Sequence, residues 1–111
     1  MKTYQVVLAP DFLSDLFEIY QYVALRDGKE RARDLVKNLE KAARRLENFP
    51  DRGHALPELA PMGIQDVQEI TNGPYRVLYK LRDNAVYVLA CIDGRRDIEQ
   101  VLIRRALRSC L

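Results

Sequence analysis

The sequence predicts an α+β fold: an antiparallel sheet of about four strands, an N-terminal helical hairpin and a C-terminal helix. Three observations carry that expectation. Two apolar runs, Tyr75–Leu81 and Ala85–Ile92, flank Arg82-Asp83-Asn84, as two strands flank a tight turn. Apolar residues recur at helical spacing through the N-terminal half. One short strand-like run precedes the helices and the others follow them, so the helices must bury their stripes on the sheet.

Taken in order, Thr3–Ala9 alternates Tyr4, Val6 and Leu8 on one face with Val7 and Ala9 on the other. Pro10 starts a new element, and Asp11 sets an anion near a helix N-terminus. Phe12, Leu16, Ile19 and Val23 then form a stripe, and Gly28 fits the helix end. A second helix runs from about Lys29 to Asn48, with Ala32, Leu35, Val36, Leu39, Ala43 and Leu46 as its stripe, and Pro50 stops it. Its remaining faces mix acids and bases, as a solvated surface does.

Residues 50–63 hold three prolines and two glycines, which predicts a long irregular loop anchored by Leu56 and Leu59. The only histidine, His54, lies there and reads as a surface residue. A strand over Ile64–Thr71 ends at the Asn72-Gly73 turn signal. In the next strand Tyr75, Val77, Tyr79 and Leu81 share the apolar face, while Arg76, Lys80 and Arg82 share the wet face with Leu78 as the exception. The following run is apolar on both sides, as an interior strand should be. A final helix starts at Ile98, with Asp97 and Gln100 spaced as a capping box.

The 111 residues suit a single domain, residues 1–111, large enough for its own core. Two cysteines, Cys91 and Cys110, make no disulfide framework, and no segment resembles a signal peptide or a membrane span. A reduced, cytoplasmic protein with no membrane partner is the expectation. The net charge of +2 divides unevenly: residues 76–111 hold eight Lys/Arg against four Asp/Glu, and residues 1–75 hold ten against twelve. The basic end suits an acidic partner or nucleic acid.

Several chemistries are absent. There is no Cys/His cluster for zinc, no phosphate-binding glycine loop, no G-x-S-x-G elbow and no second histidine. No metal and no cofactor is expected. What remains is Arg76 and Lys80 on one strand face, with Arg95 and Arg96 at the exit of the next strand. Arginines placed together would hold a phosphate or carboxylate.

Three cassettes in this order resemble the RelE/ParE superfamily of toxins from type II toxin–antitoxin modules. Asp15-Leu16-Phe17-Glu18-Ile19-Tyr20-Gln21-Tyr22 is similar to the D-L-x-x-I-x-x-Y opening helix of ParE-type proteins. Gly73-Pro74-Tyr75-Arg76-Val77-Leu78-Tyr79 is similar to the Y-R-[VI]-[LF]-Y strand, and Gly94-Arg95-Arg96-Asp97-Ile98 to the H-x-R-[RD] strand exit. The resemblance covers nearly the whole chain. It implies a toxin wrapped by a cognate antitoxin in a hetero-oligomer. ParE-type members block DNA gyrase. RelE-type members cleave mRNA on the ribosome without metal, which here would make Arg76 and Arg96 the catalytic residues.

A metal-free ribonuclease needs proton transfer as well as charge stabilisation. The tyrosine that RelE-type enzymes carry in the last helix falls near Leu102, and a proton-transfer pair would have to come from Glu69 and His54. The cassettes therefore favour the ParE-like branch, with the RelE-like nuclease as the alternative and a non-toxic binding module of the same fold as a second. Leu13, Phe17 and Tyr20 are expected to be partly exposed. With Arg76, Lys80, Arg95 and Arg96 they form the expected surface for antitoxin or target.

Overall fold

The computed structural model describes residues 3–110, without the side chains of residues 107–110. Strand β1 (Gln5–Leu8) leads into helices α1 (Pro10–Asp27) and α2 (Lys29–Arg44). A connection with short 3-10 turns contains the two-residue strand β2 (His54–Ala55). Strands β3 (Val67–Asn72), β4 (Tyr75–Arg82) and β5 (Ala85–Asp93) precede helix α3 (Ile98–Cys110). The sheet order is β1-β5-β4-β3-β2.

The expected α+β architecture is present, with two differences in the sheet. It has five strands rather than about four, because His54 and Ala55 pair with Glu69 and Gln68 inside the expected loop. In addition, β1 runs parallel to β5, while the other pairs are antiparallel. That pairing joins segments about eighty residues apart, which local patterning does not encode.

Local chemistry explains the boundaries. Ala9 makes the last bond from the β1 segment to β5, donating to Val88 O at 2.9 Å. Pro10 has no N–H to continue the ladder, and it occupies the first turn of α1. Gly28 takes φ 99° between α1 and α2, and its N–H closes on Ala24 O at 3.1 Å. The β4–β5 hairpin turns at Asp83-Asn84, with Asp83 at φ 56°. At the start of α3, Asp97 Oδ1 accepts from Gln100 N–H at 3.2 Å, the forward half of the expected box.

The sheet is buried on both faces. Phe12, Leu16, Leu39 and Leu46 of the hairpin side pack on Val77, Tyr79, Val86, Val88 and Cys91. On the other face Leu56, Leu78, Ala90 and Ile92 pack with Ile98 and Val101 of α3. Leu78 is therefore buried under α3. Lone charges on that face would suggest solvent, but the loop and α3 cover it.

β5 changes phase to serve both layers. Leu78 pairs with Ala90 and Tyr79 with Val88, so Leu89 is an extra residue in β5. Upstream, Val86 and Val88 face the hairpin; downstream, Ala90 and Ile92 face α3 while Cys91 faces the hairpin. A run that is apolar at every position conceals such a bulge.

β1 ends opposite Val88, which leaves the edge of β5 open further along. Asp15 closes it: its Oδ2 accepts from Cys91 N–H at 2.9 Å and from Arg105 Nη1 at 3.0 Å. Its other oxygen accepts from Arg105 Nη2. The first residue of the opening-helix cassette thus joins α1, β5 and α3. Burial pushes the Asp15 carboxyl up, and Arg105 and the Cys91 N–H oppose that shift.

Replacing Asp15 with Ala removes the carboxylate from a mostly buried guanidinium and orphans a backbone donor. Asp15→Ala is expected to destabilise the fold by about 3 kcal/mol in chemical denaturation. A loss below about 0.5 kcal/mol, the range of an ordinary surface change, would contradict this role.

Candidate functional site

Arg76 makes four side-chain hydrogen bonds. It projects from β4 toward the α3 face, diagonally across from Glu69 on β3. Arg76 Nε donates to Glu69 Oε1 at 2.6 Å and Nη2 to Oε2 at 2.7 Å. The adjacent edge of the guanidinium, which shares Nη2, meets Glu58, with Nη1 to Oε2 at 2.7 Å and Nη2 to Oε1 at 2.8 Å. Two carboxylates thus hold one cation in paired forks.

The three side chains differ in access. Glu69 is 3% exposed, Arg76 14% and Glu58 28%. Arg76 is held far above the ordinary arginine value, first by Glu58 and then by Glu69. Arg76 in turn holds the Glu58 carboxyl below the usual carboxylate range. Gly94 packs on the arginine stem: a Cβ there would lie 3.3 Å from Arg76 Cδ and 3.0 Å from Pro74 O.

The β2–β3 pairing carries His54 to this cluster. Its Nδ1 lies 4.0 Å from Glu69 Oε2, so the two candidates for proton transfer do meet. The ring is exposed, and Nδ1 also lies 3.1 Å from Ala55 O. Tyr79 lies on the other side of β4, buried in the hairpin-side core. Its hydroxyl donates to Pro50 O at 2.7 Å and accepts from Gly53 N–H at 2.9 Å, and burial raises its pKa. Gly53 is required there, since a Cβ would come within 2.5 Å of the Tyr79 hydroxyl oxygen and of Glu69 O.

The other basic candidates are dispersed. Lys80 pairs with Asp66 at 3.1 Å near the far end of β4. Arg95 folds back on Asp93, with Nε to Oδ1 at 2.9 Å, and holds that carboxyl low. Arg96 borders a hollow on the helical-hairpin side with Glu18, Tyr22, Tyr75 and Asp93. It also borders a second hollow with Val101, Arg104 and Arg105 of α3, while the Arg76 guanidinium is bonded to Glu58 and Glu69. Leu102, at the place of the RelE-type tyrosine, packs with the apolar cluster beneath α3.

Two apolar surfaces accompany these groups. Leu13 and Phe17 on α1 are 50% and 61% exposed, whereas Tyr20 is half-buried. Between α3 and the sheet lies a groove of about 380 Å³, lined chiefly by Leu59, Met62, Ile64, Leu89, Leu102 and Ile103. The sequence offered no sign of the groove, because its walls come from the irregular loop and two separate elements. Burial pushes the Cys91 thiol up to about 12, and the Cys110 side chain lies outside the described residues. Among the described residues no three His, Cys, Asp or Glu side chains converge as metal ligands, and no helix is long and apolar enough to cross a membrane.

Residues 6–98 match the family described as ParE toxin of type II toxin-antitoxin system, parDE. The chain belongs to the ParE toxin family. It is 27% identical over 84 residues to Toxin ParE3 of Caulobacter vibrioides, covering 76% of this chain and 80% of that one. The fold is that of a chain in the chromosomal ParDE system from P. aeruginosa, with TM-score 0.69, 16% identity, and coverage of 82% and 96%. A chain of the RelBE2 toxin–antitoxin complex from Mycobacterium tuberculosis gives TM-score 0.58 and 25% identity, with coverage of 84% and 93%. Asp15, Arg76 and Arg95 of the cassettes all fall inside the family match, and each is engaged with a neighbour in its own chain.

Glu58 supplies a test by pH. Its folded pKa is lowered, so its contribution is present at neutral pH and is lost as pH falls through that value. The wild type should exceed Glu58→Gln in stability by about 1 kcal/mol at neutral pH, allowing for solvent screening. The difference should begin to close near the ordinary glutamate value of about 4.3 and vanish below it. A difference that is flat across that range would show that the ion pair contributes nothing.

Proposed function

We propose that this ParE-family toxin acts by protein–protein contact, inhibiting DNA gyrase, and that a cognate antitoxin neutralises it. The observation that carries the reading is the state of Arg76. Every hydrogen bond described for its guanidinium goes to Glu58 or Glu69. A scissile phosphate would have to displace a carboxylate and then sit beside the other one. Membership of the ParE family supports the same reading, as does the apolar Leu102 at the tyrosine position.

The antitoxin reading is supported by the RelBE2 neighbour, a toxin–antitoxin complex, and by the two apolar surfaces. Leu13 and Phe17, with the edge of Tyr20, offer i, i+4, i+7 anchors for an amphipathic helix. The groove beside α3 offers a second seat, and exposed apolar area of this kind favours a covering partner. Lys80, Arg95 and Arg96 supply rim charge for an acidic partner. No cofactor enters either reading.

One observation favours the RelE-like alternative: His54 lies 4.0 Å from Glu69 beside Arg76, a base and an acid next to a cation. Supercoiling by purified gyrase and mapping of mRNA ends in a translation reaction, run in parallel, separate the two. The expected result is lost supercoiling with no new cuts in ribosomal A-site codons. Full gyrase activity at large toxin excess, together with new cuts, would transfer the function to the nuclease reading.

A further inference from the structure

Of the two carboxylates on Arg76, only one can be exchanged. Glu69 is 3% exposed on β3, between β2 and β4, so leaving Arg76 would strand its charge without water or a partner. Glu58 is partly exposed and lies on the connection between β2 and β3. Leu56, fully buried, anchors that segment; beyond Glu58 it supplies Leu59, Met62 and Ile64 to the wall of the apolar groove. The contact that occupies Arg76 therefore also tethers one wall of the groove.

We propose that Glu58 is a resident stand-in for a partner's carboxylate: an Asp or Glu side chain of the protein that fills the groove replaces Glu58 in the outer fork of Arg76. This rests on the partner reading above and gives that partner its chemistry, an apolar segment carrying one acid at the loop side of the groove. The exchange conserves charge and geometry. The Nη1 and Nη2 donors keep a bidentate carboxylate, Glu69 keeps the inner edge, and Glu58 moves into water, where a carboxylate is well solvated. A nucleic-acid phosphodiester is the weaker candidate. Its neighbours would bring further negative charge toward Glu69, which already holds the inner edge of the guanidinium.

Removing the stand-in should open the fork to a free carboxylate. Acetate and dimethyl phosphate are titrated into the full chain, and binding is read from the backbone amide resonance of Gly94, which packs on the stem of residue 76 and is present in every variant. Wild type, Glu58→Ala and Glu58→Gln are compared, the last keeping the size of the side chain if the loop depends on it. Acetate should bind Glu58→Ala about tenfold more tightly than wild type, as one charged hydrogen-bonding pair implies, with a smaller gain in the same direction for Glu58→Gln. Adding Arg76→Lys to Glu58→Ala should abolish the gain, and dimethyl phosphate should bind more weakly than acetate. Acetate affinity unchanged from wild type in both Glu58 variants overturns the proposal. So does a preference for dimethyl phosphate, which would assign the fork to nucleic acid. Acetate binding does not depend on gyrase or on any protein, so failure here and failure of the partner reading are separate results.

Discussion

A single guanidinium between two carboxylates organises the α3 face of this molecule. Arg76 from β4 is bonded to Glu69 of β3 on one edge and to Glu58 of the irregular connection on the other. A mostly buried arginine is costly unless its charge is matched and its donors are filled. Here the matching also fixes structure. It ties a proline-rich connection to the sheet, positions the wall of the apolar groove, and sets Gly94 against the arginine stem before α3 begins. The same matching determines chemistry. A cation already shared by two anions is a poor receptor for a phosphate and a good organiser of a contact surface.

The opposite side depends on a second carboxylate. Asp15 terminates the exposed edge of β5 at Cys91 and receives Arg105 from α3. The bulge at Leu89 makes this possible, because it turns Cys91 toward the hairpin and leaves Ala90 and Ile92 for α3. The two ion-paired groups lie in different layers and serve different ends. Asp15 holds α1, β5 and α3 together, whereas Arg76 holds a partly exposed loop over a surface suited to binding.

Much of this was legible in the sequence. The stripes of α1 and α2 follow from Phe12, Leu16 and Val23 and from Ala32, Leu39 and Ala43, and punctuation by Pro10, Gly28 and Asp83 marks the ends. Leu56 anchors its loop, as expected, because an isolated leucine among prolines has little else to do. The parallel β1–β5 pairing was not legible, since it depends on closing a long loop. The bulge at Leu89 was hidden by apolar residues on both sides of the strand. Arg76 was visible as a cation on a strand, and Glu69 as a candidate for proton transfer on the strand before it. Glu58 was not, because an irregular segment has no period from which to infer direction. Its bond to Arg76 changes a candidate phosphate ligand into an occupied one. Arg96 shows the same limit: it lies in the turn between β5 and α3, where no period tells which way its side chain points.

The central claim is that Arg76 acts as the tie of a recognition surface, energetically bound to its buried carboxylate. A double-mutant cycle on stability tests it most directly, with Glu69→Gln, Arg76→Met and the double variant measured by chemical denaturation at neutral pH. The account predicts a coupling energy of at least about 1.5 kcal/mol, with the double variant far less destabilised than the sum of the two single changes. Additivity within about 0.5 kcal/mol would mean that Arg76 and Glu69 act independently, and would contradict the account.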